Sequence, residues 1–141
     1  MTNLYSFFGT NKDFFSKDYT INIDKSLENM NDIYNHIGKI IYGECPLKNP
    51  IFDGIYFGSN ISSFFDCLSS SINIVNKNIV INILSKNEKI PDGDFFDFLN
   101  TFVFLFKNFE LGEVVKVFVS KEILGFYLDR IEIMQNDYSN L

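Results

Sequence analysis

The run Tyr56-Phe57-Gly58-Ser59-Asn60-Ile61-Ser62-Ser63-Phe64-Phe65-Asp66-Cys67-Leu68 concentrates the side chains of this chain best suited to recognition. A glycine-broken aromatic loop leads straight into a short amphipathic helix that carries one acid, Asp66. The chemistry on offer is that of a presenting surface: aromatic contacts, small adaptable polar residues, and a negative charge on a rigid element. Ser62 and Asp66 are four residues apart, so a helix places them on one face. No acid–base pair, metal cluster or phosphate cradle accompanies them, and the stretch points to inhibition of a basic partner rather than to a reaction.

The other candidates each have a plainer reading. His36 is the single histidine and has no cysteine or carboxylate at ligand spacing, so a solvated or core-edge position is expected. No G-x-S-x-G string supplies a poised nucleophile, and enzyme activity is not expected. Gly54 and Gly58 lack the lysine and hydroxyl residue of a phosphate loop, which leaves chain reversal as their role. Asp92, Gly93, Asp94 and Asp97 lack the twelve-residue ligand pattern of a calcium loop and read as helix-capping residues. Asn60-Ile61-Ser62 is a glycosylation sequon that matters only in a secreted chain. Cys45 and Cys67 are expected as reduced thiols. Neither a cofactor nor a metal is expected.

Charge narrows the partner. The net charge of -6 and the single arginine, Arg130, disfavour a nucleic acid or an anionic membrane surface as partner, because both require clustered cations. An acidic chain is suited to steer toward a cationic protein. The longest apolar run, residues 102–106, is far too short to span a bilayer, and the first residues lack the basic-then-apolar layout of a signal peptide. Cytoplasmic residence is the expectation.

The elements that must position these residues follow from pattern. At 141 residues the chain suits one domain with a proper core, to which most of the 17 phenylalanines must contribute. Residues 1–18 show no period and are taken as an N-terminal extension. Residues 19–23 alternate as a strand. Asp24 or Ser26 can cap a first helix with the stripe Leu27, Met30, Ile33, Tyr34, Ile37, Ile40 and Ile41, closed by Gly43. A breaker-rich loop over 43–59 leads to a second helix, capped by Ser59 or Asn60, with Ile61, Phe64, Phe65, Leu68 and Ile72 at helical spacing. Residues 78–84 read as a buried strand.

Pro91-Asp92-Gly93 reads as a turn. Asp94 with Asp97 then opens a phenylalanine-rich helix reaching about residue 108, with Phe95, Phe98, Leu99, Phe102, Phe106 and Phe109 on one stripe. Phe96, Val103 and Phe104 fall off that stripe, so the helix is either sandwiched or partly an interface. Gly112 closes it, and 114–119 is another strand. The last segment fits a helix through Leu124, Tyr127, Leu128, Ile131 and Met134, although Gly125 and the alternation over 130–133 also permit a strand. Strands alternating with helices imply an α/β fold with a small parallel sheet covered by helices.

The string Tyr56-Phe57-Gly58-x-Asn60, followed by Phe64-Phe65-Asp66-Cys67-Leu68, resembles the barstar family of small intracellular ribonuclease inhibitors. Ile61 and Phe64 stand where the family string has leucine, and Phe65 where it has tryptophan. The order of the surrounding elements agrees over about residues 19–120, with 1–18 and 121–141 as extensions. The resemblance implies an immunity protein that binds and blocks a toxin nuclease, a ribonuclease in the first instance, with a loop–helix plug over residues 52–72. It implies that Tyr56 is the inhibitory loop tyrosine, with Phe57 beside it, that Gly58 permits the turn, and that Asn60 caps the helix. Phe65 would supply an aromatic contact, and Asp66 the acid that occupies the enzyme's phosphate site. Two positions depart from the family pattern. Ser62 stands where an earlier helix acid is expected, and Lys107, with Glu110 one turn away, where a late-helix acid is expected. Those departures imply a diverged toxin with a different basic cleft. Two other readings are a barstar-like scaffold directed at a non-nuclease toxin, and a small flavodoxin-like nucleotide-binding domain.

Overall fold

The computed structural model describes residues 2–3, 19–43, 60–74, 79–108 and 115–139. Four strands, β1 (Thr2–Asn3), β2 (Tyr19–Ile23), β3 (Ile79–Ile83) and β4 (Val115–Val119), form one sheet in the order β1-β4-β3-β2. The last three run parallel, and β1 joins the β4 edge antiparallel, with Thr2 opposite Val119. Four helices accompany them: α1 (Met30–Gly43), α2 (Ile61–Ile74), α3 (Asp92–Asn108) and α4 (Lys121–Ser139). The α/β class is as the alternation predicts. Within the expected N-terminal extension, Thr2 and Asn3 thus pair with the sheet.

Register explains where the core sits. Ile21, Ile81 and Val117 form one row across the sheet, and Ile23, Ile83 and Val119 the next. All six side chains are completely buried. Their neighbours on the opposite face are mixed: Thr20 and Asn22 are exposed, Val80, Asn82 and Phe118 are partly exposed, Lys116 is buried, and Asn82 Nδ2 donates to Asn22 Oδ1 at 3.0 Å. The expected buried strand over 78–84 is therefore buried on one face only, which is why Asn82 can sit in it. The topology supplies the reason. Right-handed crossovers that step the same way, β2 to β3 to β4, place their helices on the same side of the sheet. All four helices contribute to the one core cluster with that face.

The helix starts are decided by local hydrogen bonds. Asn29 caps α1, its Oδ1 accepting from Asp32 N at 2.8 Å, while Asp32 Oδ2 reaches back to Glu28 N at 3.3 Å. Asp24, the expected cap, instead accepts from Ser26 N at 2.8 Å in a turn of its own. Pro91-Asp92-Gly93 is likewise not a separate turn. Pro91 stands at the cap position, its carbonyl accepting from Phe95 N at 3.1 Å, so Asp92 and Asp94 fall in the first turn of α3. Acids there suit the positive end of the helix dipole.

The final segment is a helix. Ser120 caps it, Oγ accepting from Ile123 N at 3.2 Å, and Ile123 and Tyr127 are buried in the core. Ile123 and Tyr127 thus bring this segment into the core, though Leu128 and Met134 of the predicted stripe remain exposed. Helix α3 lies between α2 and α4. Its off-stripe Phe96 stacks on Tyr127 with ring centroids 5.2 Å apart, whereas Phe104 stays half exposed. The helix is thus sandwiched between its two neighbours at Phe96 and open at Phe104.

Candidate functional site

Helix α2 is anchored from inside and open outside. Asn60 Oδ1 accepts from Ser63 N at 2.9 Å and its carbonyl accepts from Phe64 N at 3.0 Å, so Asn60 rather than Ser59 is the cap. Phe64 and Leu68 point inward and are completely buried. Phe64 stacks on Tyr34 of α1 at 4.8 Å and meets Phe98 and Phe102 of α3 at 5.7 and 6.3 Å. Burial of an aromatic side chain of this size contributes about 1.5–3 kcal/mol. The turn that carries Ser62 and Asp66 is thereby held by three neighbouring aromatic rings.

On the outer side, Ser62 and Asp66 are both exposed and share a face, as their spacing predicts. Phe65 is half-buried, its ring 5.4 Å from that of Phe104 on α3. The place of Phe104 off the main stripe signals a position outside the core, but its pairing with Phe65 is visible only in the fold. Phe65 directly precedes Asp66 in α2, so this ring contact and the exposed acid belong to one turn. Cys67 is a half-buried free thiol, pushed up in pKa by burial and then by the charge of Asp66. Tyr56, Phe57 and Gly58 lie outside the described residues, as do Cys45, Glu110, Gly112 and the 44–59 part of the loop. Lys107 falls in the last turn of α3, with its side chain likewise outside the description.

His36 is partly buried on α1 and its Nε2 lies 3.1 Å from the Asn22 carbonyl oxygen, a core-edge contact that ties α1 to β2. Among the described residues no group of three or more His, Cys, Asp or Glu side chains is placed to hold a metal ion. No helix among them is long and apolar enough to cross a membrane.

A second concave feature lies beside the start of α2. A cleft of about 440 Å³ opens where the chain leaves the carboxyl ends of β2 and β3 and enters α1 and α3. Asn29 and Tyr34 of the α1 segment, Asn60 and Ile61 of α2, and Asp94 and Asp97 of α3 line it. Lys86 buttresses the β3–α3 connection below, donating to Ile90 O at 2.7 Å and pairing with Asp92 at 3.3 Å. Sequence reasoning assigned Asp94 and Asp97 to capping and did not associate them with Asn60, because only the fold brings these three segments together.

No family model matches the chain, and no curated protein or solved structure is significantly similar to it.

Proposed function

We propose that this chain is a barstar-like immunity protein that binds a basic toxin nuclease, a ribonuclease in the first instance, and blocks its active site. One observation carries the reading: Asp66 is exposed on a helix whose opposite side, Phe64 and Leu68, is completely buried. A carboxylate held in this way loses little conformational freedom on binding. The Phe65–Phe104 pair supplies the aromatic area that commonly anchors an interface, and Ser62 lies one turn before Asp66 on the same face. The net charge of -6 favours fast encounter with a cationic cleft. Tyr56, Phe57 and Gly58 belong to the same plug through the family resemblance, and the protein acts in the cytoplasm, where it protects the cell that makes it.

The test combines the protein with the nuclease encoded beside it. Wild type abolishes nuclease activity, and Asp66→Ala weakens the complex by more than about 2 kcal/mol, the usual threshold for a dominant interface residue. An Asp66→Ala variant with undiminished affinity removes Asp66 from the interface. Should the neighbouring toxin prove not to be a nuclease, the same assay scored on that toxin's activity decides for the scaffold directed at another target.

The nucleotide-binding reading has one feature in its favour: the cleft lies at the carboxyl ends of parallel strands, where open α/β sheets hold their ligands. Asp94 and Asp97 on its wall weigh against a phosphate-bearing occupant.

A further inference from the structure

The cleft at the helix starts is built unlike an empty surface fold. Its volume of about 440 Å³ lies within the range of ligand-holding clefts. Its base is apolar, formed by Met30, Ile61, Ile90 and Pro91. One wall carries Asp94 and Asp97, both exposed, and among the described residues neither carboxylate is in an ion pair. Lys89, the one cation on the rim among the described residues, is turned to Glu28 at 3.5 Å.

Tyr34 supplies a second, independent feature of the cleft. Its side chain is only 4% exposed, yet it lines the cleft, and among the described residues its hydroxyl has no hydrogen-bond partner. Its ring is fixed from behind by the stack on Phe64. Burial, then the charges of Asp94 and Asp97, push the hydroxyl up to about 12, so it stays neutral and keeps an acceptor lone pair. A neutral hydroxyl that lines a cleft beside two carboxylates is poised to accept from a donor arriving from outside.

We propose that this cleft receives a basic side chain of the protein partner, an arginine, whose guanidinium lies between Asp94, Asp97 and the Tyr34 hydroxyl while its methylenes cover Ile61 and Ile90. The argument is one of donors and acceptors. Asp94, Asp97, the Tyr34 hydroxyl and the carboxamide of Asn31 present acceptors at several angles, and guanidinium is the side chain that offers several donors in a fixed plane. The apolar base matches the long stem of such a residue. Helix N-termini ordinarily favour anions, but Asn29 and Asn60 already occupy amides of α1 and α2, and acids stand in the first turn of α3. Because Asn60 and Ile61 belong both to the cleft and to the start of α2, an arginine held here fixes the partner at a second point next to Asp66. The inference rests on the proposed inhibitory role only for the identity of the partner.

A titration followed by amide chemical shifts tests it, with acetyl-Gly-Arg-Gly-amide as probe and its citrulline counterpart as control, at about 0.15 M salt to screen diffuse attraction. Saturable shifts centred on Tyr34, Asn60, Ile61 and Ile90 with the arginine peptide alone are expected. Asp94→Asn/Asp97→Asn, with both sites exposed and the fold checked by melting, should bind about tenfold more weakly or worse. Asp66→Ala should bind the peptide as wild type does. Shifts scattered over the acidic surface, equal binding of citrulline, or undiminished binding by the double variant overturn the proposal. Saturation of the cleft by adenosine monophosphate rather than the peptide overturns it as well. The toxin assay separates the two readings. Inhibition lost with Asp66→Ala but intact with the double variant removes the cleft and leaves the inhibitory role standing. Peptide binding as described with no toxin inhibited does the reverse.

Discussion

The Phe64 ring stacks on the Tyr34 ring at 4.8 Å, and this pair joins the inner side of α2 to the lining of the neighbouring cleft. Phe64 is completely buried, two residues from exposed Asp66, so packing and presentation occupy opposite sides of one turn. Loss of either ring loosens the element that carries the other feature.

That division separates stability from binding. Phe64→Ala removes a buried ring surrounded by Tyr34, Phe98 and Phe102 and should cost about 3–5 kcal/mol in urea unfolding. Asp66→Ala, at an exposed position, should change stability by no more than about 0.5 kcal/mol. A large stability loss from Asp66→Ala would mean that the carboxylate is structural.

Asn60 holds the first turn of α2. Asn60→Ala leaves the Ser63 amide without its side-chain acceptor and should destabilise the fold by about 1 kcal/mol, with Asn60→Asp close to wild type. Hydrogen exchange at Ser63 should rise in the alanine variant ahead of exchange in the core strands, since a lost cap frays the helix end first.

Tyr34 makes stability fall in alkali. Its folded pKa is raised from 10.0 to about 12, first by burial and then by Asp94 and Asp97, so the fold favours the neutral phenol. The resulting stabilisation is fully present below the unfolded pKa and is lost as pH rises through the folded one, amounting to on the order of 2 kcal/mol. Denaturant unfolding at about pH 9 and about pH 11 should show a steeper loss for wild type than for Tyr34→Phe. Equal slopes would mean that the hydroxyl is solvated in the folded state.

Gly125 sits in α4 with nothing within 4 Å of where a Cβ would stand. Gly125→Ala should therefore stabilise by about 0.5–1 kcal/mol through the unfolded chain and helix propensity. A decrease in melting temperature would show that α4 does not stay helical through this residue.

Much of the fold was legible because the signals are local. The alternation over 19–23, the β-branched run before residue 84 and the 3.6-residue stripes each name their own element, and their order names the class. Capping was legible only by residue type. Asp24, Asn29 and Asn60 are all competent caps, and the choice of Asn29 over Asp24 follows from where α1 must begin to lay Ile33, Ile37 and Ile41 on the sheet.

The sequence by itself determined the α/β class, a helix opening after Ser59 or Asn60, and the common face of Ser62 and Asp66, because each depends on residues within a turn or two of one another. Only the tertiary structure decided that the four helices share one core with the Ile21, Ile81 and Val117 face, that Phe96 is buried while Phe104 joins Phe65, and that Tyr34, Asn60 and Asp94 line one cleft. Those relations join segments far apart in the chain. Their spacing is set by strand register and helix packing, for which the order of residues along any one element carries no signal.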